Sequence, residues 1–269
     1  MKKVLTVQDL SCVGKCSLTV ALPILSAMGI SCSVLPTAVL STHTAFPSPH
    51  VRSLTDDMGR ICEHLQSIGA EFDGILVGYL SDAEQAEAVL ELISTFDCPV
   101  ILDPAMGDHG KLYRGITQEH VDAMRDLATL ATAVLPNVTE AAMLTGLPYQ
   151  AETDGHYLRM MLDRLCMGMK TETVIITGTE SGAERTGFAG IQKQEGLFSY
   201  RAPRRNKQLH GTGDMFSAVF TGGYLLGKDP YEAGELAAKF VEQVLDATET
   251  VSPFGASFEK CLPWLWEQL

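Results

Sequence analysis

The run His210-Gly211-Thr212-Gly213-Asp214 stands directly before Met215 to Leu226, a segment apolar on nearly every side. Such a segment predicts a buried helix. Its start brings unpaired backbone N–H groups and the positive end of the helix dipole to the glycines. Without a Cβ at Gly211 or Gly213 an oxyanion can approach those amides closely, so the junction can hold a phosphate. Asp214 falls in the first turn, at the rim of this nest, where a carboxylate can accept the proton of an attacking hydroxyl. The same residues also fit a plain tight turn in which Thr212 or Asp214 caps the helix. Four residues are too few to choose between the two on spacing.

Other phosphate motifs do not appear. Gly14-Lys15 suggests a Walker loop, but that pattern needs Gly where Asp9 stands and Ser or Thr where Cys16 stands. No Gly-x-Gly-x-x-Gly follows the first apolar run, which weakens a dinucleotide-binding reading. Cys12 and Cys16 lack a matching Cys or His pair at zinc-finger spacing.

The elements that must position this junction are read from periodicity. Short apolar runs rich in β-branched residues recur at 4–7, 32–35, 74–78, 99–102, 133–135 and 173–177, the signature of buried parallel strands. Between them lie helical patterns, the clearest being the stripe Leu54, Met58, Ile61, Leu65 and Ile68, with Gly69 as its C-terminal stop. Alternation of this kind predicts one α/β domain over residues 1–269, a doubly wound, mostly parallel sheet with helices on both faces. Ligands in such folds bind beyond the carboxyl ends of the strands. Two segments interrupt the alternation. The turn-rich loop His43 to His50 is either a flap or an ordinary connection. Residues 186–203 read as antiparallel strands with Gly187, Gly190 and Gly196 as turns.

Gly211-Thr212-Gly213-Asp214 resembles the anion-hole and catalytic-base signature of the ribokinase superfamily. The rest of the chain narrows the resemblance to its pyridoxal and pyridoxamine kinases, so the implied fold is ribokinase-like. The supporting pieces come in the family's order: Val7-Gln8, Thr37 through Ser41-Thr42-His43-Thr44, Gly78-Tyr79-Leu80, Asp103-Pro104-x-Met106-Gly107, Pro136-Asn137-x-x-Glu140, Thr177-Gly178, then the glycine motif. The resemblance spans roughly residues 4–250. It implies ATP-dependent phosphorylation of the hydroxymethyl group of vitamin B6, with Asp214 as base and Gly211, Thr212 and Gly213 as anion hole. A kinase of the same fold acting on hydroxymethylpyrimidine or a sugar is the alternative, followed by a noncatalytic nucleotide or vitamin sensor.

By the same resemblance Asp103, Asn137, Glu140, Thr177 and Gly178 contact ATP, and Asp103 and Glu140 serve its Mg²⁺. Each also has a plainer reading: Asp103 as a cap on the turn at Pro104, Asn137 with Glu140 as a capping box, Thr177-Gly178 as a strand-ending turn. The vitamin is expected at Asp9, Ser11, Thr37, His43, Thr44 and Tyr79, with Tyr113 near the phosphate path. Many pyridoxal kinases carry Ser directly after the Gln that is here Gln8, whereas this chain has Asp9 and reaches serine only at Ser11. A carboxylate there favours a protonated ring nitrogen or a cationic aminomethyl group. The family is commonly dimeric and often stimulated by a monovalent cation such as K⁺.

Composition agrees with a globular enzyme: 46% hydrophobic and 20% charged residues in a chain of 269. A net charge of −13 argues against binding nucleic acid or anionic lipid. A phosphate site must then draw its positive potential from helix amides, a few basic side chains and a cation. Arg201, Arg204, Arg205 and Lys207 precede the glycine motif and either attract ATP or form a solvated loop. Seven cysteines without paired spacing fit free thiols in a reducing cytosol. No signal-peptide core or membrane-length apolar run is present, so a soluble cytoplasmic protein is expected.

Overall fold

The computed structural model describes residues 1–181, 184–205, 207 and 209–269. In chain order the elements are β1 (Lys3–Val13), α1 (Leu18–Ala27), β2 (Ser31–Thr42), β3 (Val51–Ser53), α2 (Thr55–Ser67), β4 (Gly74–Val77), α3 (Glu84–Thr95) and β5 (Val100–Leu102). A small hairpin, β6 (Gly107–Asp108) with β7 (Lys111–Leu112), leads to α4 (Gln118–Leu130), β8 (Ala133–Val134), α5 (Val138–Thr145) and α6 (Gly155–Leu165). The chain continues through β9 (Thr173–Ser181), β10 (Arg185–Gln192), β11 (Gly196–Pro203), α7 (Thr212–Leu225) and α8 (Pro230–Ala247) to α9 (Leu262–Glu267).

The main sheet has the order β11-β10-β9-β8-β5-β4-β1-β2-β3. Its six central strands, β9 to β2 in that order, are parallel, while β10 and β11 at one edge and β3 at the other are antiparallel. Val4 and Leu76 face one core with α1, α7 and α8, and Leu5, Ile75 and Val77 face the other with α2, α3, α4 and α6. Burial on both faces explains why these strands read as continuous apolar runs without alternation.

Several expectations are refined. Of the predicted α2 stripe, Met58 is fully buried but Ile68, at the helix end, is 62% exposed. Gly69 does terminate α2, with φ +67. In the 186–203 segment only Gly196 makes the hairpin turn. Gly187 and Gly190 lie inside β10, where a Cβ would strike the Tyr200 carbonyl and the Phe198 ring respectively, so close cross-strand approach is their reason. The strands β1 and β2 both run several residues past their predicted apolar stretches, to Val13 and Thr42, around a register shift between Gln8 and Leu10. Past Val7 the strand β1 pairs with β2 alone, and this extension reaches beyond the carboxyl end of β4.

Candidate active site

α7 is the core of the site. From Met215 to Gly223 every residue is buried, so the helix is pinned along its length and its first turn is held in place. Gly211 caps it with φ +85, and Met215 N donates to Gly211 O at 2.9 Å as the first helical bond. That bond leaves the amides of the first turn without helical acceptors. A Cβ on Gly211 would lie well inside 3.0 Å of the Lys15 carbonyl oxygen, so the turn is locked against the β1–α1 loop by a contact that only glycine permits. Gly213, by contrast, has no heavy atom within 4 Å of the position a Cβ would take: the space over the nest is open.

Asp214, half-buried, sits at the edge of that space. Burial first, and then the Asp103 carboxylate, push its carboxyl up to about 8, while the amides of Ser17 and of Asp214 itself support the ionised form. A carboxyl raised this far is a stronger base than an ordinary aspartate, as deprotonation of an alcohol requires. Asp103, buried at the end of β5, is raised to about 6 by burial, against a lowering by the Ser217 hydroxyl one turn into α7. The Ser217 interaction draws the Asp103 carboxylate toward α7, away from the plainer alternative of a cap on the turn at Pro104.

The capping box at α5 is present. Asn137 Oδ1 accepts from Glu140 N at 3.0 Å, and Glu140 Oε2 accepts from Asn137 N at 2.8 Å. Glu140 Oε1 also accepts from Met106 N at 3.1 Å, and Asn137 Nδ2 donates to Gly107 O at 2.8 Å. The pair thus ties the loop after Asp103 to the start of α5. Burial and Asp103 hold the Glu140 carboxyl well above the usual range. Thr177 bridges to Asn137, its N donating to Pro136 O at 2.9 Å, and Gly178 follows with φ +66. This is not a strand-ending turn: β9 continues to Ser181 across a bulge. Burial, and then Glu140, Asp108, Asp103 and Asp214, raise the pKa of the Tyr113 hydroxyl.

Asp103 acts electrostatically on both Glu140 and Asp214 with no basic partner among these contacts, and carboxylate oxygens are donors that fit a hard divalent cation. Among the described residues no three His, Cys, Asp or Glu side chains converge on one ion position.

The second half of the cleft is built on β1, β2 and β4. Asp9 is 4% exposed, with Ser11 Oγ donating to its Oδ2 at 3.1 Å. Burial raises its carboxyl pKa, opposed by the hydroxyls of Ser17 and Ser11. Burial, and then the Asp9 and Asp82 carboxylates, push the Tyr79 hydroxyl up to about 12. Thr37 lies deeper: its Oγ1 donates to Tyr79 O at 2.9 Å, so it supports the wall rather than lining it. His43 is buried, 2.9 Å from Pro253 O through Nε2 and 4.6 Å from the His210 ring, with Thr44 half-buried beside it. The loop after β2 therefore folds back over the glycine turn, as a flap does.

Residues that motif reading passed over complete the site. Gly14 to Ser17 and Pro253 to Gly255 meet above α7: Lys15 N donates to Phe254 O at 2.8 Å, and Phe254 stacks on Phe46 of the flap at 5.2 Å. Ser17 holds φ +48 while buried, a conformation costly for serine. Gly14-Lys15, which a Walker pattern rejects, was the available signal. The basic cluster is spent locally. Arg204 pairs with Glu180, Arg205 with Glu242 and Asp246, and Lys207 Nζ donates to the carbonyls of Leu245 and Thr248. Arg201 donates to Phe188 O and Tyr200 O.

A three-layer α/β fold with an anion nest and an acidic residue at one helix start, facing carboxylates on strand ends, defines a phosphotransferase of the ribokinase type. Residues 26–256 match the phosphomethylpyrimidine kinase family model. A pyridoxine/pyridoxal/pyridoxamine kinase of Bordetella pertussis is 31% identical over 91% of this chain and 89% of its own length. A Bacteroides thetaiotaomicron protein assigned as a phosphomethylpyrimidine kinase and crystallised with pyridoxal superposes with TM-score 0.93 and 35% identity, covering 98% of this chain and 95% of that one. A pyridoxal kinase of Lactobacillus plantarum gives 0.92 at 30% identity, covering 100% and 98%. The chain belongs to the phosphomethylpyrimidine kinase family, among the pyridoxal kinases of the ribokinase superfamily.

Proposed function

We propose that this chain transfers the γ-phosphate of ATP to the 5′-hydroxymethyl group of vitamin B6 vitamers in pyridoxal phosphate salvage. The observation that carries this is Asp214: a half-buried carboxyl of raised pKa, set in the first turn of α7 beside an open glycine nest. ATP lies across that nest, with Asn137, Thr177 and Gly178 toward the nucleotide and the γ-phosphate against the amides of Gly211, Thr212 and Gly213. The vitamin lies between Asp9, Tyr79 and the His43-Thr44 flap, its hydroxymethyl oxygen at Asp214.

Asp214 accepts the hydroxyl proton as the oxygen attacks, and the first-turn amides stabilise charge on the migrating phosphoryl group. Bound Mg²⁺ neutralises phosphate charge there. Asp103 would hold it directly and Glu140 through water, since both Glu140 oxygens already accept backbone amides. With a cation at Asp103, that carboxylate raises the pKa of its neighbour less, which favours the ionised form of Asp214 against the burial that opposes it. A homodimer, K⁺ stimulation and a cytoplasmic site of action follow the family's habit; no helix among the described residues is long and apolar enough to cross a membrane.

The test is a substrate panel with coupled detection of ADP: pyridoxamine, pyridoxal, pyridoxine, hydroxymethylpyrimidine and ribose, each with Mg·ATP. B6 vitamers should exceed the others in kcat/KM. Higher kcat/KM for hydroxymethylpyrimidine or ribose would overturn the vitamin assignment and keep the kinase.

A further inference from the structure

Below the vitamin wall lies a closed polar network that none of the chemistry above uses. Gln85, in the first turn of α3, is fully buried. Its Oε1 accepts from Ser81 N at 2.8 Å, and its Nε2 donates to Thr37 O at 2.7 Å. Ser81 N can only donate and Thr37 O can only accept, so the carboxamide has one orientation. Nε2 also lies 3.1 Å from Thr55 Oγ1 and 3.2 Å from Ser53 Oγ. Those hydroxyls donate to Asp82 Oδ2 at 2.7 and 3.1 Å, joined there by Ser81 Oγ at 2.9 Å. Asp82 Oδ1 accepts from Gln85 N at 3.1 Å.

The members come from two places that matter. Thr37 and Ser53 stand on β2 and β3, the two stems of the flap that carries His43, Thr44 and Phe46. Ser81, Asp82 and Gln85 belong to the connection that carries Tyr79. The strand β3 is three residues long and pairs with β2 through only three residues of each strand, too little to fix the flap by itself. A buried network holds geometry when every member is paired, and loses it when one member is removed.

We propose that Gln85 is a positioning residue for the vitamin: it clamps both stems of the flap to the Tyr79 connection and so sets the width of the vitamin slot. The inference rests on the vitamin reading of this half of the cleft. Among the described residues the nucleotide half, built on β5, α5, β9 and α7, shares no hydrogen bond with the clamp, so loss of Gln85 weakens vitamin binding in ground and transition states alike and leaves ATP binding intact.

The experiment uses Gln85→Met, which keeps length and apolar bulk but removes every side-chain bond, and Gln85→Glu, which sets a second carboxylate against Asp82 and the Thr37 carbonyl. Vitamin KM should rise about 10-fold or more in the first and further in the second, with kcat and ATP KM within about threefold. Amide hydrogen exchange should quicken across residues 43–50 and 79–81 and stay unchanged in β5 and β9. Should Gln85→Met fail to fold, Ser53→Ala removes one arm of the clamp and should show the same pattern at several-fold. A folded variant with unchanged vitamin KM and unchanged flap exchange, or one in which both KM values rise together, overturns the proposal. If the wild-type chain phosphorylates no B6 vitamer, the substrate reading fails, and the exchange comparison alone decides whether Gln85 clamps the flap.

Discussion

Two glycines two residues apart give opposite predictions, and the difference isolates the anion nest from the fold. At Gly211 an added Cβ meets two costs: φ is +85, and the Lys15 carbonyl oxygen lies well inside 3.0 Å of the new atom. A left-handed backbone costs a non-glycine residue about 1–2 kcal/mol, and relieving an overpacked contact about 1–3 kcal/mol more. Gly211→Ala should therefore lose about 3 kcal/mol of stability, a fall of roughly 6–12 °C in Tm for a domain of this size. A turn displaced by about an ångström also costs about 100-fold in turnover. Gly213 has helical φ and open space around its Cα, so Gly213→Ala should leave Tm unchanged or slightly higher. Its methyl group would occupy the place of a phosphate oxygen, and losing one anion-hole donor costs about 100- to 1,000-fold in kcat. Urea or thermal unfolding read beside ADP release separates the two. A Gly213→Ala protein that turns over like wild type would refute the nest, whatever Gly211→Ala does.

Two other outcomes follow from particular side chains. Asp9 is a buried carboxylate held by the Ser17 and Ser11 hydroxyls and its own amide, with His43 acting on it from nearby, and a cationic group on the ligand would be its full counter-charge. Pyridoxamine should be used at least as well as pyridoxal, and Asp9→Ser should shift the kcat/KM ratio toward pyridoxal by about 10-fold, one charge-assisted hydrogen bond; pyridoxal preferred more than tenfold, with that ratio unmoved by the substitution, refutes the role. His120 is 2% exposed with neither ring nitrogen paired among the described residues, and burial lowers its pKa below 6.5. The unfolded chain therefore binds its proton first, so the stability due to neutral His120 is complete above about pH 6.5 and falls away as pH drops below it. His120→Leu should flatten that decline in pH-dependent unfolding; an identical slope in the variant would contradict it.

The parallel core was legible because its strands are buried on both faces and so appear as unbroken β-branched runs. The helix start at Gly211 was legible for a related reason: a fully buried helix has no polar stripe, and its beginning stands out. What escaped was structure without a hydrophobic period. The extension of β1 buries polar side chains, Gln8, Asp9 and Ser11, in place of an apolar run, the three-residue β3 and the β6–β7 hairpin bury little, and Gly187 and Gly190 looked like turns because their reason lies across the sheet in β11. The upper wall joins residues far apart in sequence, His43 with Pro253 and Lys15 with Phe254, which no local spacing reports. Gln85 was hidden by type, since a polar residue in a helix's first turn reads as surface until its carboxamide is found buried.

The central claim is that Asp214 takes the proton of the hydroxyl under attack. Its most direct test is turnover of Asp214→Ala with Mg·ATP and pyridoxamine, beside calorimetric binding of ATP and of vitamin to the same protein. Turnover should fall by about 100- to 10,000-fold, the range for removal of a general base, while both ligands bind within a few-fold of wild type. A variant that turns over within tenfold of wild type would contradict the assignment.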